Sequence, residues 1–166
     1  QGKDVSVENV EFLLNLAKAS LVGKNDKTVL DEKVRRSNEI LADQIQLHPD
    51  FAFLVSSEID ILARALGHPT KVLAKLHKME IYESRNFDID NPYENTKPTI
   101  FTASVQLPFG GGAGGDLVVD GLNTGASDYN LTLFHHDVPH YVTKVQNGRR
   151  LVLIFDVIDT GVPIIN

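Results

Sequence analysis

Two spacings of apolar residues divide the chain into a helical first part and a strand-rich second part. Apolar residues recur at i, i+3, i+4 and i+7 from Val10 to Leu21 and again from Pro49 to Leu66, which is typical of amphipathic helices. The proline that opens the second segment suits a first helical turn, and Gly67 suits the position after its end. Beyond Pro69, β-branched and aromatic segments predict strands near 71–83, 99–107, 116–119, 129–135, 138–145 and 149–157.

The order of these elements predicts an α+β fold, in which the N-terminal helices pack on one face of an antiparallel sheet or barrel. The segment 28–46 is expected to add one more strand. A chain of 166 residues is long enough for one domain with a real core. We therefore expect a single domain over 1–166, with a helical part over 1–69 and a barrel core over 70–158.

Charge and composition exclude several classes of protein. Sixteen Lys and Arg against 22 Asp and Glu give a net charge of −6, which argues against binding to nucleic acid. No apolar run approaches the roughly 20 residues of a membrane span, and no leader peptide is visible, so we expect no membrane partner and a cytoplasmic or nuclear location. The chain has no cysteine, so any metal ligands must be His, Asp or Glu.

The segment 137–155 contains a histidine and an arginine on two apolar strands that are joined by a Gln-Asn-Gly turn. A two-residue turn would place His140 and Arg150 on opposite faces, whereas a three-residue turn with Gly148 in a left-handed bulge would place them on the same face. In the second case they lie roughly 13 Å apart, at about 3.3 Å per residue along the strand. A small dicarboxylate and the long arginine side chain together could span that distance.

The same residues resemble a known protein family. The run from His140 through Val142, Val145 and Gly148 to Arg150 is similar to the H-x-V-x-x-V-x-x-G-x-R pattern of the iron(II)- and 2-oxoglutarate-dependent dioxygenases, in their prolyl-4-hydroxylase-like branch. Three upstream segments resemble the same branch in the same order, so the likeness extends over about residues 28–157. They are TVLDEKVR at 28–35, KMEIYE at 78–83 and GGDLVV at 114–119.

The resemblance implies a specific fold and chemistry. The fold would be a double-stranded β-helix, a jelly-roll barrel with helices packed outside, and the activity that of a hydroxylase-type oxidoreductase. Iron would be held by two histidines and one carboxylate, with His140 as the second histidine. Arg150 would pair with the distal carboxylate of the cosubstrate 2-oxoglutarate, because guanidinium forks onto carboxylates and stays charged. Tyr82 and Thr102 match positions whose hydroxyls face the cosubstrate.

The chain departs from the family where the first two iron ligands are expected, as an H-x-D motif shortly after Tyr82. Residues 82–93 contain no histidine. Depending on the register, the ligand positions fall on Asn91 and Tyr93, on Asp90 and Pro92, or on Asp88 and Asp90.

Asp88 and Asp90 with His140 would form a site of one histidine and two carboxylates. Such a site favours Mn²⁺ or Mg²⁺ over Fe²⁺ because it replaces an imidazole with oxygen ligands. The alternative is a rebuilt loop with both aspartates in solvent. We therefore expect weak Fe²⁺ binding, and the alternative function is a catalytically silent pseudo-oxygenase that acts as a binding or scaffold module.

Other histidines offer competing arrangements. His135 and Asp137 also spell H-x-D, but they lie too close to His140 in one strand and turn to form the family's triad. His77 is five residues from Tyr82, and odd spacing on a regular strand predicts the opposite face. Capping or loop roles are expected for the two histidines that precede prolines, His48 and His68.

Overall fold

The computed structural model describes residues 18–19, 22–24, 27–29, 38–83, 99–108, 113–125 and 127–165. This part of the chain forms β-strands, one short 3-10 helix (Ala42–Gln44) and one α-helix, α1 (Pro49–Ala65). The strands are β1 (Lys18–Ala19), β2 (Val22–Lys24), β3 (Lys27–Val29), β4 (Asn38–Leu41), β5 (Thr70–Glu83), β6 (Thr99–Leu107), β7 (Ala113–Gly114), β8 (Leu117–Val119), β9 (Leu122–Asn123), β10 (Leu131–His135), β11 (His140–Val142), β12 (Val145–Asn147) and β13 (Arg149–Pro163).

One large antiparallel sheet dominates the described structure. Its six strands follow the order β1-β4-β5-β13-β6-β10. The other strands form three smaller sheets, with the orders β11-β8-β9, β12-β7 and β2-β3. The long strand β13 lies in the middle of the large sheet, because β5 pairs with one of its edges and β6 with the other.

The single described α-helix begins and ends as its sequence predicts. The Nδ1 atom of His48 accepts a hydrogen bond from the backbone N–H of Asp50, and Pro49 occupies the first turn. Gly67 follows the helix with a φ of +83°, a left-handed conformation that suits glycine. No helix within the described ranges is both long and apolar enough to cross a membrane.

The helix covers one face of the large sheet, which we call the helix face. Val55, Ile59 and Ala63 lie one helical turn apart and are buried against it. Alternate residues of the sheet strands supply the other half of this core, because successive side chains of a strand point to opposite faces. They include Met79, Ile81, Phe101, Ala103, Val105, Leu107, Leu151, Leu153, Phe155 and Val157.

The opposite face, which we call the small-sheet face, carries a different set of side chains. Tyr82 and Val152 of the large sheet pack there against Val142 of β11 and Val145 of β12, so the sheets that contain β11 and β12 lie over this face. The remaining positions on it are unusually polar for a sheet interior. Lys78, Thr102, Ser104 and Gln106 are all buried, and Glu80, Arg150 and Asp156 share their alternation along β5 and β13.

Most predicted elements are confirmed within the described residues. The second helix and the strands near 71–83, 99–107, 116–119 and 129–135 are present, and β4 provides a strand inside 28–46. The final strand is longer than predicted and ends at Pro163. The predicted segment 138–145 is instead divided between β11 and β12, because Thr143 and Lys144 interrupt the pairing.

Two predictions need correction, one about the first helix and one about the pairing of the later strands. Most of the predicted first helix, including Val10, lies outside the described residues, but its last turn is wrong because Lys18–Ala19 is a strand paired with β4. The predicted hairpin between 138–145 and 149–157 is also wrong. β12 pairs with β7, because both edges of β13 are already occupied by β5 and β6.

Candidate functional site

Arg150 lies at the start of β13 on the small-sheet face. Its Cα is directly opposite that of Tyr82 on β5, so the two side chains leave the same face of the sheet. The Nε atom of Arg150 donates a hydrogen bond of 2.8 Å to the carbonyl oxygen of Gly114. Among the described residues no carboxylate lies within 4.0 Å of this guanidinium, although the side chain is half-buried. A guanidinium has five N–H donors, so most of them are left for a further acceptor.

The backbone beside Arg150 approaches closely because two successive residues are glycines. Gly114 and Gly115 have φ values of +79° and +72°, the left-handed region that favours glycine. A Cβ on Gly115 would lie 2.5 Å from Cγ of Arg150 and 3.0 Å from Cγ2 of Val145. The second glycine therefore provides the space that the arginine side chain occupies.

Tyr82 is almost fully buried, and its hydroxyl belongs to a network of charged groups. The hydroxyl donates a hydrogen bond to Oε2 of Glu80. Lys78 Nζ lies 3.0 Å from Oε1 of Glu80 and 3.2 Å from Oε2 of Glu39. The sheet register explains the cluster, since Glu39 of β4 is the direct Cα partner of Glu80 and Lys78 is two residues away on the same face.

Thr102 lies on the small-sheet face, like Tyr82 and Arg150, but not beside Arg150. Its Cα is opposite Asp156, six residues along β13 from Arg150, which corresponds to roughly 20 Å of strand. The Oγ1 atom of Thr102 is 3.2 Å from Nδ1 of His136, and Phe134 is its partner on β10. The structure therefore brings Tyr82 and Arg150 together and places Thr102 at a different level of the same face.

His140 reaches the level of Thr102 from the opposite layer. Its ring contacts Phe134 with a centroid distance of 4.8 Å, and Val142, two residues further on, is buried against Tyr82. The Nδ1 atom of His140 is 2.9 Å from the carbonyl oxygen of Val138. A carbonyl oxygen only accepts hydrogen bonds, so Nδ1 is the donor in this contact and Nε2 is the ring nitrogen left to face a metal ion.

His140 and Arg150 are related through different strands from those that the sequence argument used. The two residues lie on different sheets, and β8 connects them. His140 pairs with Val119 at one end of β8, and Gly115, two residues before the other end, lies beside Arg150, because a Cβ built on it would be 2.5 Å from Cγ of Arg150. Val119 and Gly115 are four positions apart in the sequence, which is at most about 13 Å of extended chain.

The described residues do not supply an iron site by themselves. They contain no group of three His, Asp or Glu side chains that could hold a metal ion. Asp88 and Asp90, the carboxylates proposed to join His140, lie outside the described residues. The structure thus provides one imidazole for such a site and leaves the other predicted ligands untested.

The competing histidines occupy other places. His135 stacks against Phe101 of the helix face with a centroid distance of 4.7 Å, so it points away from His140. His68 contacts the same phenylalanine by its edge. His68, His135 and His136 line a cavity of about 410 Å³ that includes neither Arg150 nor Tyr82 among its lining residues.

The prediction for His77 is wrong. Its Nδ1 atom lies 3.5 Å from Oδ2 of Asp156, which belongs to the small-sheet face. A β-bulge is the cause, because Ile154 pairs with Lys78 and the next residue, Phe155, pairs with Leu76, which leaves His77 unpaired. Odd spacing gives the opposite face only on a strand without such a bulge.

Sequence reasoning missed Gln106. This residue is 7% exposed, and its side-chain nitrogen has no hydrogen-bond partner within the described part of the chain. Gln106 is the Cα partner of Val152, which places it diagonally across from Arg150 on the small-sheet face, roughly 7–8 Å away. The signal was present in β6, where Thr102, Ser104 and Gln106 alternate with apolar residues.

These observations fit a small carboxylate ligand. A half-buried guanidinium, an unpartnered amide donor and a tyrosine hydroxyl occur on one face within two or three residue spacings. Buried donors without partners are costly, so a bound acceptor would stabilise this arrangement. The same face lacks the three converging ligands that iron needs, as far as the described residues extend.

Comparison with known proteins relates the fold to two oxygenase structures. No protein-family model and no curated protein sequence matches the chain. The structure of a Pseudomonas putida prolyl-4-hydroxylase is similar with a TM-score of 0.54 and 16% identity, over 82% of this chain and 76% of that one. An oxidoreductase of the 2OG-Fe(II) oxygenase family from Burkholderia pseudomallei is similar with a TM-score of 0.54 and 12% identity, over 91% and 79%. The chain therefore shares its fold with 2OG-Fe(II) oxygenases.

Proposed function

We propose that the chain is a 2-oxoglutarate-binding domain of the prolyl-hydroxylase type, with a jelly-roll barrel whose interior is the small-sheet face. The observation that carries the proposal is the position of Arg150. It leaves the sheet directly opposite Tyr82, contacts the backbone of Gly114 through Nε, and has no carboxylate within ion-pair distance among the described residues. The shared oxygenase fold supports the same assignment.

In this proposal the side chains around Arg150 bind and orient a dicarboxylate. The guanidinium pairs with the distal carboxylate, since its fork matches two carboxylate oxygens. Tyr82 and Gln106 supply hydroxyl and amide groups beside it. His140, in the opposite layer, would face the keto acid end of the cosubstrate. Thr102 lies roughly 20 Å of strand from Arg150, too far for one 2-oxoglutarate molecule to contact both.

A second proposal concerns catalysis, and it favours a pseudo-oxygenase that binds without turnover. It is supported by the absence of histidine from residues 82–93, where the family's first iron ligands are expected. His140 with Asp88 and Asp90 would form an oxygen-rich site that prefers Mn²⁺ or Mg²⁺. We infer weak Fe²⁺ binding and little conversion of 2-oxoglutarate to succinate.

Metal titration and product analysis together test the second proposal. Fe²⁺ is titrated anaerobically into the protein with 2-oxoglutarate while the visible charge-transfer band of the chelate is recorded, and succinate is measured after air is admitted. His140→Ala is compared with His135→Ala, whose ring packs on the helix face. Stoichiometric iron binding with turnover that is lost only in His140→Ala would establish an active oxygenase and overturn the pseudo-oxygenase proposal.

A further inference from the structure

Glu80 carries a carboxylate on the small-sheet face, two residues from Tyr82 and diagonally across from Arg150. Glu80 accepts a hydrogen bond from the hydroxyl of Tyr82. Its other oxygen lies 3.0 Å from Nζ of Lys78. The side chains of Glu80 and Lys78 are only 12% and 8% exposed, so water screens their charges weakly.

In the described part of the chain, the group of Lys78, Glu80 and Glu39 contains two carboxylates and one ammonium. Lys78 lies between two carboxylates, Glu80 and Glu39, at 3.0 Å and 3.2 Å. One ammonium against two carboxylates leaves one negative charge in excess among these three groups. Arg150 is a nearby cation on the same face. The excess carboxylate partly compensates its positive charge, although the two groups are not in contact.

The sheet register sets the distance between the backbones of Glu80 and Arg150. Tyr82 is the direct Cα partner of Arg150, and Glu80 lies two residues from Tyr82 on the same side of β5. Such diagonal neighbours have Cα atoms about 7–8 Å apart. If the charges are separated by the same distance as the Cα atoms and the effective dielectric constant is about 20, one unit charge changes the affinity for an added anion by about tenfold or more.

We propose that Glu80 is a specificity-determining residue of the pocket. Its carboxylate holds the Tyr82 hydroxyl and opposes a second negative charge beside Arg150, so it lowers the affinity for dicarboxylates more than for monocarboxylates. This inference rests on the proposed binding of 2-oxoglutarate at Arg150. It concerns affinity and selectivity only and involves no chemical step.

The test is calorimetric titration of metal-free protein with 2-oxoglutarate and with 2-oxobutanoate, which lacks the distal carboxylate. Glu80→Gln removes the charge and keeps an oxygen that accepts from Tyr82. Glu83→Gln is the matched control, because Glu83 is on the same strand but pairs with Arg149 at 3.7 Å. Glu80→Gln is expected to bind 2-oxoglutarate about tenfold tighter, and 2-oxobutanoate with a clearly smaller gain. The Glu83→Gln affinities should match wild type.

The other outcomes separate the inference from the proposal beneath it. Wild-type binding with an equal or weaker affinity in Glu80→Gln overturns the role of Glu80 and leaves the proposed function standing. If thermal melting shows that wild type and Glu80→Gln are both folded and neither binds 2-oxoglutarate, the proposed function and the inference are both overturned. Should Glu80→Gln fail to fold, Glu39→Gln decides the question, because it removes the same charge from the cluster. An affinity that does not rise in Glu39→Gln would overturn the inference.

Discussion

Gly115→Ala is expected to damage the site because the new methyl group would displace Arg150. A Cβ at this position would lie 2.5 Å from Cγ of Arg150 and 3.0 Å from Cγ2 of Val145, both well inside van der Waals contact. Cγ is close to the backbone end of the arginine side chain, so it cannot move away without carrying the guanidinium with it. The variant should therefore lose both stability and affinity for 2-oxoglutarate.

The expected loss of unfolding free energy in Gly115→Ala has two parts, which a control variant can distinguish. Gly115 has a φ of +72°, and an alanine in the left-handed region costs about 1–2 kcal/mol of unfolding free energy. Overpacking against Arg150 and Val145 adds about 1–3 kcal/mol. Gly121 has a φ of +79° but nothing within 4 Å of its Cβ position, so Gly121→Ala isolates the first part.

Urea unfolding and calorimetric titration measure the two effects on the same preparations. We expect Gly121→Ala to lose about 1–2 kcal/mol of stability with unchanged affinity for 2-oxoglutarate. Gly115→Ala should lose more stability and at least about tenfold in affinity, which corresponds to losing one charge-assisted hydrogen bond. Equal stability losses and equal affinities in the two variants would refute the proposed contact between Gly115 and Arg150.

Two further predictions concern the supporting fold. Ile59→Ala should lower the unfolding free energy by about 2–5 kcal/mol because Ile59 is fully buried beneath the sheet, whereas Ile61→Ala, at a site 60% exposed, should change it by less than about 0.5 kcal/mol. Similar losses in urea unfolding would contradict the orientation of the helix. The pKa of Asp159 lies below its ordinary value of 3.8, chiefly because the hydroxyl of Thr70 donates to it and next because the N–H of Gly161 does. A carboxyl group whose pKa is lowered by folding stabilises the folded protein at pH values above its unfolded pKa. This stabilisation is lost as the pH falls through the folded pKa, so Thr70→Val should weaken the dependence of stability on pH below about 3.8. Plots of unfolding free energy against pH, recorded from pH 5 to pH 2, that run parallel for wild type and Thr70→Val would contradict this prediction.

The sequence predicted the elements of the fold better than their pairing. Amphipathic spacing and end signals identified α1, because the proline at its start and Gly67 after its end act locally. Pairing depends on competition between distant strands, which no local pattern records. The predicted hairpin between 138–145 and 149–157 failed for this reason, since β5 and β6 take both edges of β13.

The candidate site was predictable where alternation is regular and unpredictable where charges or bulges intervene. The family resemblance implied that Tyr82 and Arg150 face one cosubstrate, and regular pairing of β5 with β13 makes them direct Cα partners. His77 was assigned to the wrong face because one bulge in β5 reverses the alternation. Glu80 was missed because a charged residue in a strand predicts solvent exposure unless its partners are known, and those partners come from β4 and from neighbouring positions on β5.

Calorimetric titration of 2-oxoglutarate into wild type, Arg150→Ala and Arg149→Ala, without added metal, tests the proposed pocket most directly. Arg149 is the matched control, because it is the adjacent arginine but pairs with Glu83. We expect wild type and Arg149→Ala to bind with similar affinity and Arg150→Ala to bind at least about tenfold more weakly, because a charge-assisted carboxylate pair is lost. Equal affinities in wild type and Arg150→Ala, or no binding by any of the three folded proteins, would contradict the assignment of this face as a dicarboxylate site.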